Sequence, residues 1–422
     1  SKGELLEAVK GKVGQEISVA ELFDIAATLT ARYRNDGYML STVVVPPQKI
    51  GSGKVVLKAV EGYLDRIVVE GVTSNQKTTI LSYLNKVIEQ RPLKSKNLER
   101  YLLLVDDLSG LSLKTFVEPS LKNGGAATLT VKPKIDRFNA WSTADNRGSD
   151  FVGPYNLALG GTVHSPFALG QSFSGQIANT PTQNKELRYV SLSSAHELDT
   201  EGTSVAISVA GMKSQPGKEL RELELKSRSL SVDVSLRAKP YRSRDANLFV
   251  SLAASFRQGD TKALDALLSQ DRSRQVRFGL DFQSIDALFG ANSVSGGVSQ
   301  GVTGLGATPS GSILLSRSDA DTGATWFDAN ISRVQSLGMF MPGVDLQASV
   351  SGQYALKPLS ASREFSVGGK ANASAFDSSE ITGDHGVSGR LELRYATELG
   401  VIDRAVPDAW QGFAVQVYAF GD

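Results

Sequence analysis

The pentapeptide Gly297-Val298-Ser299-Gln300-Gly301 has the Gly-x-Ser-x-Gly spacing of a serine hydrolase, in which the serine attacks an acyl carbonyl. That chemistry needs a sharp turn between a strand and a helix, and a histidine that takes the proton of the serine. Here the pentapeptide lies in a Gly- and Ser-rich run that alternates like a β-strand. We therefore predict no catalytic role for it, and a hydrolase activity lost on Ser299→Ala would contradict that prediction.

The other residues with possible chemistry are three histidines and one Asp-rich segment. His164, His196 and His385 lie far apart, without the spacing of a metal or catalytic site. Asp319-Ala320-Asp321-Thr322-Gly323 begins like a calcium-binding loop, but Asn330 stands where such a loop has a bidentate glutamate. The chain has no cysteine, which excludes a thiol nucleophile and a Cys-bound metal. We predict no catalytic residue, no metal site and no cofactor.

Composition excludes further classes of function. The formal net charge of +1 over 422 residues argues against nucleic acid as the main partner. There is no nucleotide-binding loop, and no apolar run reaches the about 20 residues that a transmembrane helix needs. A mean hydropathy of −0.13 is nevertheless compatible with a membrane barrel, because its strands alternate lipid-facing and lumen-facing residues.

The first third of the chain predicts two small α/β modules, at residues 1–71 and 72–136. Ser18-Val19-Ala20-Glu21 is a capping box that opens a helix, and Gly37 ends that helix. Runs rich in β-formers predict strands at 39–45, 54–60 and 64–69. In the second module we predict a helix at 79–88, a helix capped by Ser95, and strands at 112–117 and 127–131.

From about residue 137 the pattern changes to a period of two. Leu230, Val232 and Val234, for example, alternate with serine and aspartate. A soluble β-sandwich also alternates, but several runs here reach the about 10 residues that a tilted membrane strand needs. We predict that residues 137–422 form an all-β transmembrane antiparallel β-barrel, with about thirteen strands in succession.

The predicted connections between these strands alternate in length. Short ones lie near residues 165–170, 198–202, 241–245, 286–291 and 336–343. Long ones lie near residues 213–223, 258–274, 303–324 and 357–384. Short turns at one end and long loops at the other are typical of outer-membrane barrels. We predict the charged segment 258–274 as a solvated loop with a short helix at 262–268.

Several short motifs follow one another in the two N-terminal modules. They are Tyr33-Arg34-Asn35-Asp36-Gly37-Tyr38, Val45-Pro46-Pro47-Gln48-Lys49-Ile50, Gly53-Lys54-Val55, Glu61-Gly62, Leu98-Glu99-Arg100-Tyr101 and Asp107-Leu108-Ser109-Gly110. Together they resemble the two polypeptide-transport-associated (POTRA) domains of the two-partner secretion transporters, the haemolysin and filamentous-haemagglutinin exporters. The resemblance implies that the POTRA motif residues are Tyr33, Gly37, Tyr38, Pro46, Gln48, Gly53, Glu61, Gly62, Arg100 and Gly110.

Two late stretches resemble the sixth extracellular loop of the same family, here called loop six, and the strand after it. They are Phe365-Ser366-Val367-Gly368-Gly369 and Gly383-Asp384-His385-Gly386, followed by Glu392-Leu393-Arg394-Tyr395. The resemblance implies that the gate residues of loop six are Gly368, Gly369, Ser374, Phe376, Gly383 and Asp384. It also implies that Arg390, Glu392, Arg394, Phe420 and Asp422 are their partners in the barrel lumen.

The tip of loop six departs from the family pattern. The family has a Val-Arg-Gly-Tyr-like tetrad there, whose arginine pairs with the aspartate of a Phe-x-Asp motif. This chain has Ala373-Ser374-Ala375-Phe376 at the tip and Phe420-Gly421-Asp422 at the motif. An aspartate without its cation loses a charge-assisted hydrogen bond. Arg390 or Arg394 could replace the arginine, the lock could be weak, or the tips could align differently.

Length is a second departure from the family. Its barrel has about sixteen strands, an even number as is usual for such barrels. An open barrel would expose an unpaired strand edge to lipid, which is costly. We therefore expect the chain to be a fragment that lacks its last strands, its signal peptide and the family's first helix.

The resemblance implies an outer-membrane translocator of a Gram-negative cell, not an enzyme. Its POTRA domains, in the periplasm, would capture a large unfolded exoprotein, which would leave through the barrel lumen without ATP. The partners would be that exoprotein and the lipid bilayer, with no nucleic acid and no nucleotide. The alternatives are an assembly factor of the same superfamily that inserts outer-membrane proteins and, in another class, a passive porin or a barrel hydrolase.

Overall fold

The computed structural model describes residues 10–50, 53–88, 90–120, 123–146, 148–149, 151–181, 186–369, 373–377, 379–398 and 414–421. Asp422, predicted as a lumen partner, lies outside these residues. The chain divides into two compact units. The first comprises the residues up to Arg137 with Ser165–Gly170, and the second comprises Phe138–His164 with the residues from Gln171 onward.

The first module begins with helix α1 (Val19–Asn35), followed by strands β1 (Thr42–Val44) and β2 (Lys58–Val60). The predicted capping box is confirmed: the Glu21 amide donates to Ser18 Oγ at 3.2 Å, and the Ser18 amide donates to the Glu21 carboxylate at 2.8 Å. Gly37 follows the helix with φ of +88°, a left-handed conformation that glycine adopts without steric cost. Both strands are shorter than predicted, and they pair antiparallel.

The second module contains β3 (Tyr63–Val69), α2 (Ser74–Ile88), α3 (Ser95–Asp106), β4 (Leu111–Pro119) and β5 (Ala126–Ile135). Its sheet has the order β3-β5-β4, with β3 parallel and β4 antiparallel to β5. The two helices cover this sheet with buried side chains. These are Ile80, Leu84, Val87, Leu104 and Val105, packed on Leu64, Leu129 and Val131.

Two predictions for these modules differ from the structure. The sequence places the strand predicted at 64–69 in the first module. In the structure this strand is β3, which pairs with β5 of the second module. By strand pairing, the second module therefore begins at Tyr63 rather than after residue 71. A parallel β3–β5 pair needs a crossover between its strands, and α2 and α3 supply it. Ser95 is the first residue of α3 rather than its cap, since Lys94 holds the cap position without a side-chain hydrogen bond.

The second unit consists of strands joined by turns and loops. They are β6 (Phe138–Asp145), β7 (Asn156–His164), β8 (Gln171–Asn179), β9 (Leu187–Glu197), β10 (Ser204–Ser214), β11 (Lys226–Arg242), β12 (Ala246–Ala263), β13 (Ala266–Ile285), β14 (Gly290–Gly301), β15 (Thr325–Ser336), β16 (Val344–Ala355), β17 (Phe365–Val367), β18 (Ile381–Gly383), β19 (Gly386–Glu398) and β20 (Ala414–Gly421). In the described part of the chain, all but β17 and β18 form one antiparallel sheet of thirteen strands. Neighbours in the sheet follow chain order.

Burial alternates along these strands as a barrel wall requires. On β13 the apolar side chains of Val276, Phe278, Leu280 and Phe282 are exposed, as lipid-facing residues would be. Arg277 between them instead binds a carboxylate on the opposite face, where the wall encloses a polar lumen. No helix among the described residues is long and apolar enough to cross a membrane.

The charged segment 258–274 is neither a loop nor a helix. Strands β12 and β13 continue through it and meet at a two-residue turn, Leu264–Asp265, where φ is +48° and +60°. The paired backbone overrides the local helical signal, because the β12–β13 ladder continues through the segment to Ala263 and Ala266 and satisfies backbone groups there. The prediction of a solvated loop with a helix at 262–268 is therefore wrong.

The long loop between β14 and β15 covers an edge that this hairpin would otherwise expose. β14 ends at Gly301, opposite Gln275, so β13 continues beyond it toward its turn. The loop returns along that edge, where the Thr308 amide donates to the Arg272 carbonyl at 2.9 Å and the Gln270 amide donates to the Leu314 carbonyl at 2.6 Å. Covering the edge prevents pairing with another chain.

Candidate functional site

Loop six, residues 356–385 between β16 and β19, contains all six predicted gate residues. Its arms pair as the β17–β18 hairpin, with Phe365 opposite Gly383. Gly368 follows β17 at φ of +119°, and a Cβ added there would lie 2.1 Å from the Asp377 carbonyl oxygen. Only glycine fits this reversal, so the role of the position is to turn the loop.

Arg317, from the loop between β14 and β15, binds the base of loop six. One guanidinium nitrogen lies 2.9 Å from a Glu364 oxygen and 2.7 Å from Asp384 Oδ1, and the guanidinium also pairs with Asp319 at 2.8 Å. The amide of Leu359 donates to Asp384 at 2.7 Å. We call Arg317, Asp319, Glu364 and Asp384 the loop clasp, because these residues join two different loops.

The pKa values of two members of the loop clasp, Asp384 and Arg317, are shifted, and both shifts favour the charged form of the side chain. Burial raises the pKa of Asp384, but hydrogen bonds from Arg317 and the Leu359 amide outweigh burial and hold that pKa below its usual value. The Asp384 carboxylate in turn raises the pKa of Arg317. Arg317 was not predicted from the sequence, whereas Asp384 was.

Three of the predicted lumen partners, Arg390, Glu392 and Arg394, lie on β19, and Phe420 lies on the neighbouring strand β20. Glu392 is 5% exposed and accepts hydrogen bonds from Arg390 at 2.8 Å and from Arg394. We call Arg390, Glu392 and Arg394 the lumen cluster. Arg390 also donates to Ser374 Oγ at the tip of loop six, at 2.6 Å, and its guanidinium lies 4.4 Å from the centre of the Phe420 ring. Arg390 thus contacts both the tip and the Phe-x-Asp motif, whereas Phe376 is exposed.

Arg363, in loop six itself, is a second arginine that the sequence did not identify. Arg363 closes a short 3-10 helix, Ala361–Arg363, and its Nε and Nη2 are buried with no hydrogen-bond partner among the described residues. Burial, with the nearby Arg257, lowers the pKa of Arg363 to about 10, although Asp233 opposes the shift. A loop residue that contacts wall residues far away in sequence gives no local signal, so the sequence alone could not identify it.

The motif residues of the first module mostly stabilise its fold. A Cβ on Gly62 would lie 2.2 Å from the Leu40 carbonyl oxygen, so only glycine allows this close approach. The Gln48 amide group bridges the Val56 backbone at 2.8 and 2.9 Å, and Tyr33 meets Tyr38 edge to face at 6.1 Å. The remaining motif residues are Pro46, Gly53, Glu61, Arg100 and Gly110, of which Gly53 and Gly110 have positive φ.

Helix α1 and strand β1 border a groove of about 570 Å³. Its lining includes Phe23, Ala27, Thr30, Arg34 and Val43. Phe23 is 57% exposed, whereas Val43 is buried. The small side chains of α1 leave room beside the strand, so the groove can accept an extended peptide.

The Gly-x-Ser-x-Gly pattern lies wholly within strand β14, not at a strand–turn–helix junction. Gly297 leaves room there for the Arg277 guanidinium, which passes over it to the Asp328 carboxylate, with Nη2 at 2.8 Å from Oδ2. A Cβ at Gly297 would lie 2.3 Å from Arg277 Nη1. The glycine therefore permits an ion pair in the lumen wall.

The histidines and acidic residues take part in local contacts. His385 Nδ1 accepts from the Ala355 amide at 3.2 Å, and the ring stacks on Tyr354 at 4.7 Å. Asp321 pairs with Lys357 at 2.6 Å. Across the described ranges, no group of three or more His, Cys, Asp or Glu side chains is placed to hold a metal ion.

Gly297→Ala is expected to destabilise the folded second unit by about 1 kcal/mol, because the new methyl group displaces Arg277 from Asp328. The check is the temperature at which the heat-modifiable gel mobility of the folded protein is lost. Gly389→Ala is the matched control, since its nearest contact would be an ordinary 3.8 Å. In an Asp328→Asn background the Gly297 effect should largely vanish, and an undiminished effect would refute the explanation.

Comparisons with known proteins follow the same division of the chain. The model of the family "Haemolysin secretion/activation protein ShlB/FhaC/HecB" matches residues 127–417, and that of the ShlB-type POTRA domain matches residues 1–62. The heme/hemopexin transporter protein HuxB of Haemophilus influenzae strain Rd is 22% identical over 301 residues, which cover 68% of this chain and 53% of HuxB. The chain thus spans about half the length of the curated relatives it matches, or less.

Two solved structures share the fold. CdiB from Escherichia coli aligns with a TM-score of 0.75 at 17% identity, over 94% of this chain and 73% of CdiB. BamA from Haemophilus ducreyi lacking POTRA domains 1–3 aligns with a TM-score of 0.54 at 12% identity, over 97% of this chain and 82% of BamA. Both support POTRA modules followed by a β-barrel. The chain belongs to the ShlB/FhaC/HecB haemolysin secretion/activation family, the outer-membrane β-barrel transporters of two-partner secretion.

Proposed function

We propose that this chain captures an unfolded exoprotein in the periplasm through its POTRA modules and exports it through the barrel lumen without ATP. The observation that carries the proposal is the presence, in one chain, of a groove of peptide size beside a strand and of a barrel whose longest loop is held by charged groups. The groove would bind the exoprotein, and the barrel with its loop would provide a path that can be closed.

Capture would use the edge of β1. A strand edge binds an extended peptide through main-chain hydrogen bonds, and a neighbouring groove accepts alternate side chains. Such binding depends little on sequence, which suits a long unfolded partner. The groove between α1 and β1 has this arrangement, with exposed Phe23 available for apolar contact.

Passage would use the polar interior of the wall. Arg277 with Asp328 and the lumen cluster present paired charges rather than an apolar surface, so an unfolded chain would not adhere strongly to them. Nucleotides are not available at the outer membrane. Folding of the partner outside the cell would therefore supply the direction of transport.

Loop six would act as the gate. The loop clasp holds its base, and Arg390 holds its tip through Ser374. In this proposal Arg390 would take the place of the missing tip arginine from the wall side, which is the first of the three alternatives left open by the sequence; its contacts with Ser374 and Phe420 support this. For the loop to open, the ion pairs of the loop clasp and the Arg390–Ser374 hydrogen bond would have to break, and water would hydrate the separated groups.

The family match favours export over the assembly role that BamA-like architecture also allows. The related HuxB is named a heme/hemopexin transporter, which is again a transport function. The POTRA module argues against a passive porin, since porins need no periplasmic capture domain.

Deletion of residues 1–62, the span of the POTRA match, is expected to abolish export of the exoprotein while the barrel still folds. The deletion removes the groove but none of the barrel strands. Export is measured as exoprotein in the medium, and folding as heat-modifiable mobility in outer-membrane fractions. Unchanged export by the folded, truncated protein would refute the capture role.

A further inference from the structure

The main-chain edge of β1 that faces the groove already has a hydrogen-bond partner. The Val43 amide donates to Thr30 Oγ1, on α1, at 2.9 Å. The Thr30 hydroxyl donates to the Ala26 carbonyl at 2.8 Å, and the Val43 carbonyl lies further away at 3.4 Å. A hydroxyl has only one proton, so the shorter contact takes it and the Val43 carbonyl is left weakly paired.

This arrangement places a side-chain oxygen where a neighbouring strand would place a carbonyl oxygen. Val43 pairs with Ala59 of β2 in register, and its amide and carbonyl point to the other side, toward α1. In an antiparallel ladder, such a residue exchanges two hydrogen bonds with one residue of the next strand. Thr30 fills the acceptor half of that exchange.

The occupant that fits this edge is an extended polypeptide. It would need a carbonyl to accept from the Val43 amide and an amide to donate to the Val43 carbonyl, and main chain supplies both. The groove floor at Ala27 and Ala31 gives it room, and exposed Phe23 lies at the border.

We propose that the Thr30 hydroxyl is a placeholder for the main chain of the captured exoprotein and is displaced when an extended segment pairs with Val43. The inference rests on the capture role proposed above. Peptide binding then exchanges one hydrogen bond of the Val43 amide for another rather than adding one. Thr30 thereby keeps capture weak and reversible, as a partner that must be released for export requires.

If the Thr30 hydroxyl is a placeholder, its removal should raise the affinity of the groove for an extended peptide. In Thr30→Val the Val43 amide has no partner until a peptide supplies one, so binding is expected to tighten by about two- to tenfold. The probe is a short fluorescein-labelled peptide of alternating serine and valine, titrated against the full chain by fluorescence anisotropy. A peptide with N-methylated central amides cannot donate to Val43 and should bind weakly to both proteins.

Two variants control for the substitution itself. Thr30→Ser keeps the hydroxyl and should bind like the wild type. Thr28→Val removes the neighbouring hydroxyl, which is exposed and bonds only the Asp24 carbonyl at 2.9 Å in its own helix, and should also leave affinity unchanged. Hydrogen exchange of the Val43 amide tests whether this site is folded. The exchange rate should be higher in free Thr30→Val than in the free wild type, and it should fall again when the peptide binds.

The outcomes separate this inference from the capture role. Binding by the wild type without a gain in Thr30→Val overturns the placeholder alone, as does an equal gain in Thr28→Val. No binding of the peptide by either protein overturns the placeholder and also counts against capture at this groove. Tighter binding in Thr30→Val, with both controls unchanged, supports the inference.

Discussion

Arg317→Met is expected to release loop six and to increase sharply the frequency of open-channel events in planar lipid bilayers. The substitution leaves Glu364 and Asp384 without their cation, although their side chains are only 14% and 17% exposed. Removing one partner of such a pair costs about 3–5 kcal/mol, because the remaining charge stays desolvated. The docked loop bears that cost, whereas a released loop returns both carboxylates to water.

The matched control for Arg317 is Lys226→Met at an exposed ion pair. Lys226 lies 2.8 Å from Asp265, whose side chain is 74% exposed, so water already screens the pair and its loss should leave stability and gating nearly unchanged. Equal channel activity in the two variants would show that the loop clasp does not hold the gate. Export of the exoprotein by Arg317→Met provides a second measurement in cells.

The loop clasp also predicts how gating responds to acid. The pKa of Asp384 is held below its ordinary value of 3.8, so its contribution to the docked loop is complete above that value. It is lost as the pH falls through the lowered pKa, when the carboxylate takes a proton. Wild-type channel activity should therefore stay constant from neutral pH to mildly acidic pH, and an opening transition near neutral pH would require a different titrating group.

The sequence predicted the elements whose pattern repeats locally. Ser18 and Glu21 define the start of α1 within four residues, and the lipid-facing residues of β13 define its register by alternation. The same rule explains the wrong prediction at 258–274. Alternation is visible only where one face of a strand meets lipid. In residues 258–262 and 269–274 both faces are polar although the backbone ladder continues.

The candidate site was only partly predictable for a related reason. Motif resemblance identified Asp384, Arg390 and Glu392, since these lie in or beside loop six. Arg317 is 67 residues from Asp384 in the chain and belongs to a different loop, so no local pattern joins them. Contacts between loops depend on how the strands are ordered in the sheet, and side-chain periodicity carries no information on that order.

Arg363→Met is expected to have the opposite effect from Arg317→Met, although both substitutions remove an arginine at the proposed gate, loop six. Arg363 carries its charge into a buried position where Nε and Nη2 have no hydrogen-bond partner among the described residues. Each unpaired buried donor costs about 1–3 kcal/mol, and the lowered pKa of about 10 reflects the same desolvation. The docked loop is thus less stable than its packing alone would allow, which would favour its release in the proposed export.

Methionine has a similar length and no polar group to desolvate, so it should fill the space of Arg363 and hold loop six more firmly. Channel openings should become rarer, and export of the exoprotein slower, while the heat-modifiable mobility of the barrel is unchanged or slightly more resistant. More frequent openings in Arg363→Met would show that the guanidinium has a stabilising partner in the docked loop. Because the two methionine variants lose the same group and should shift the gate in opposite directions, their comparison separates a paired arginine that closes the loop from an unpaired one that prepares its release.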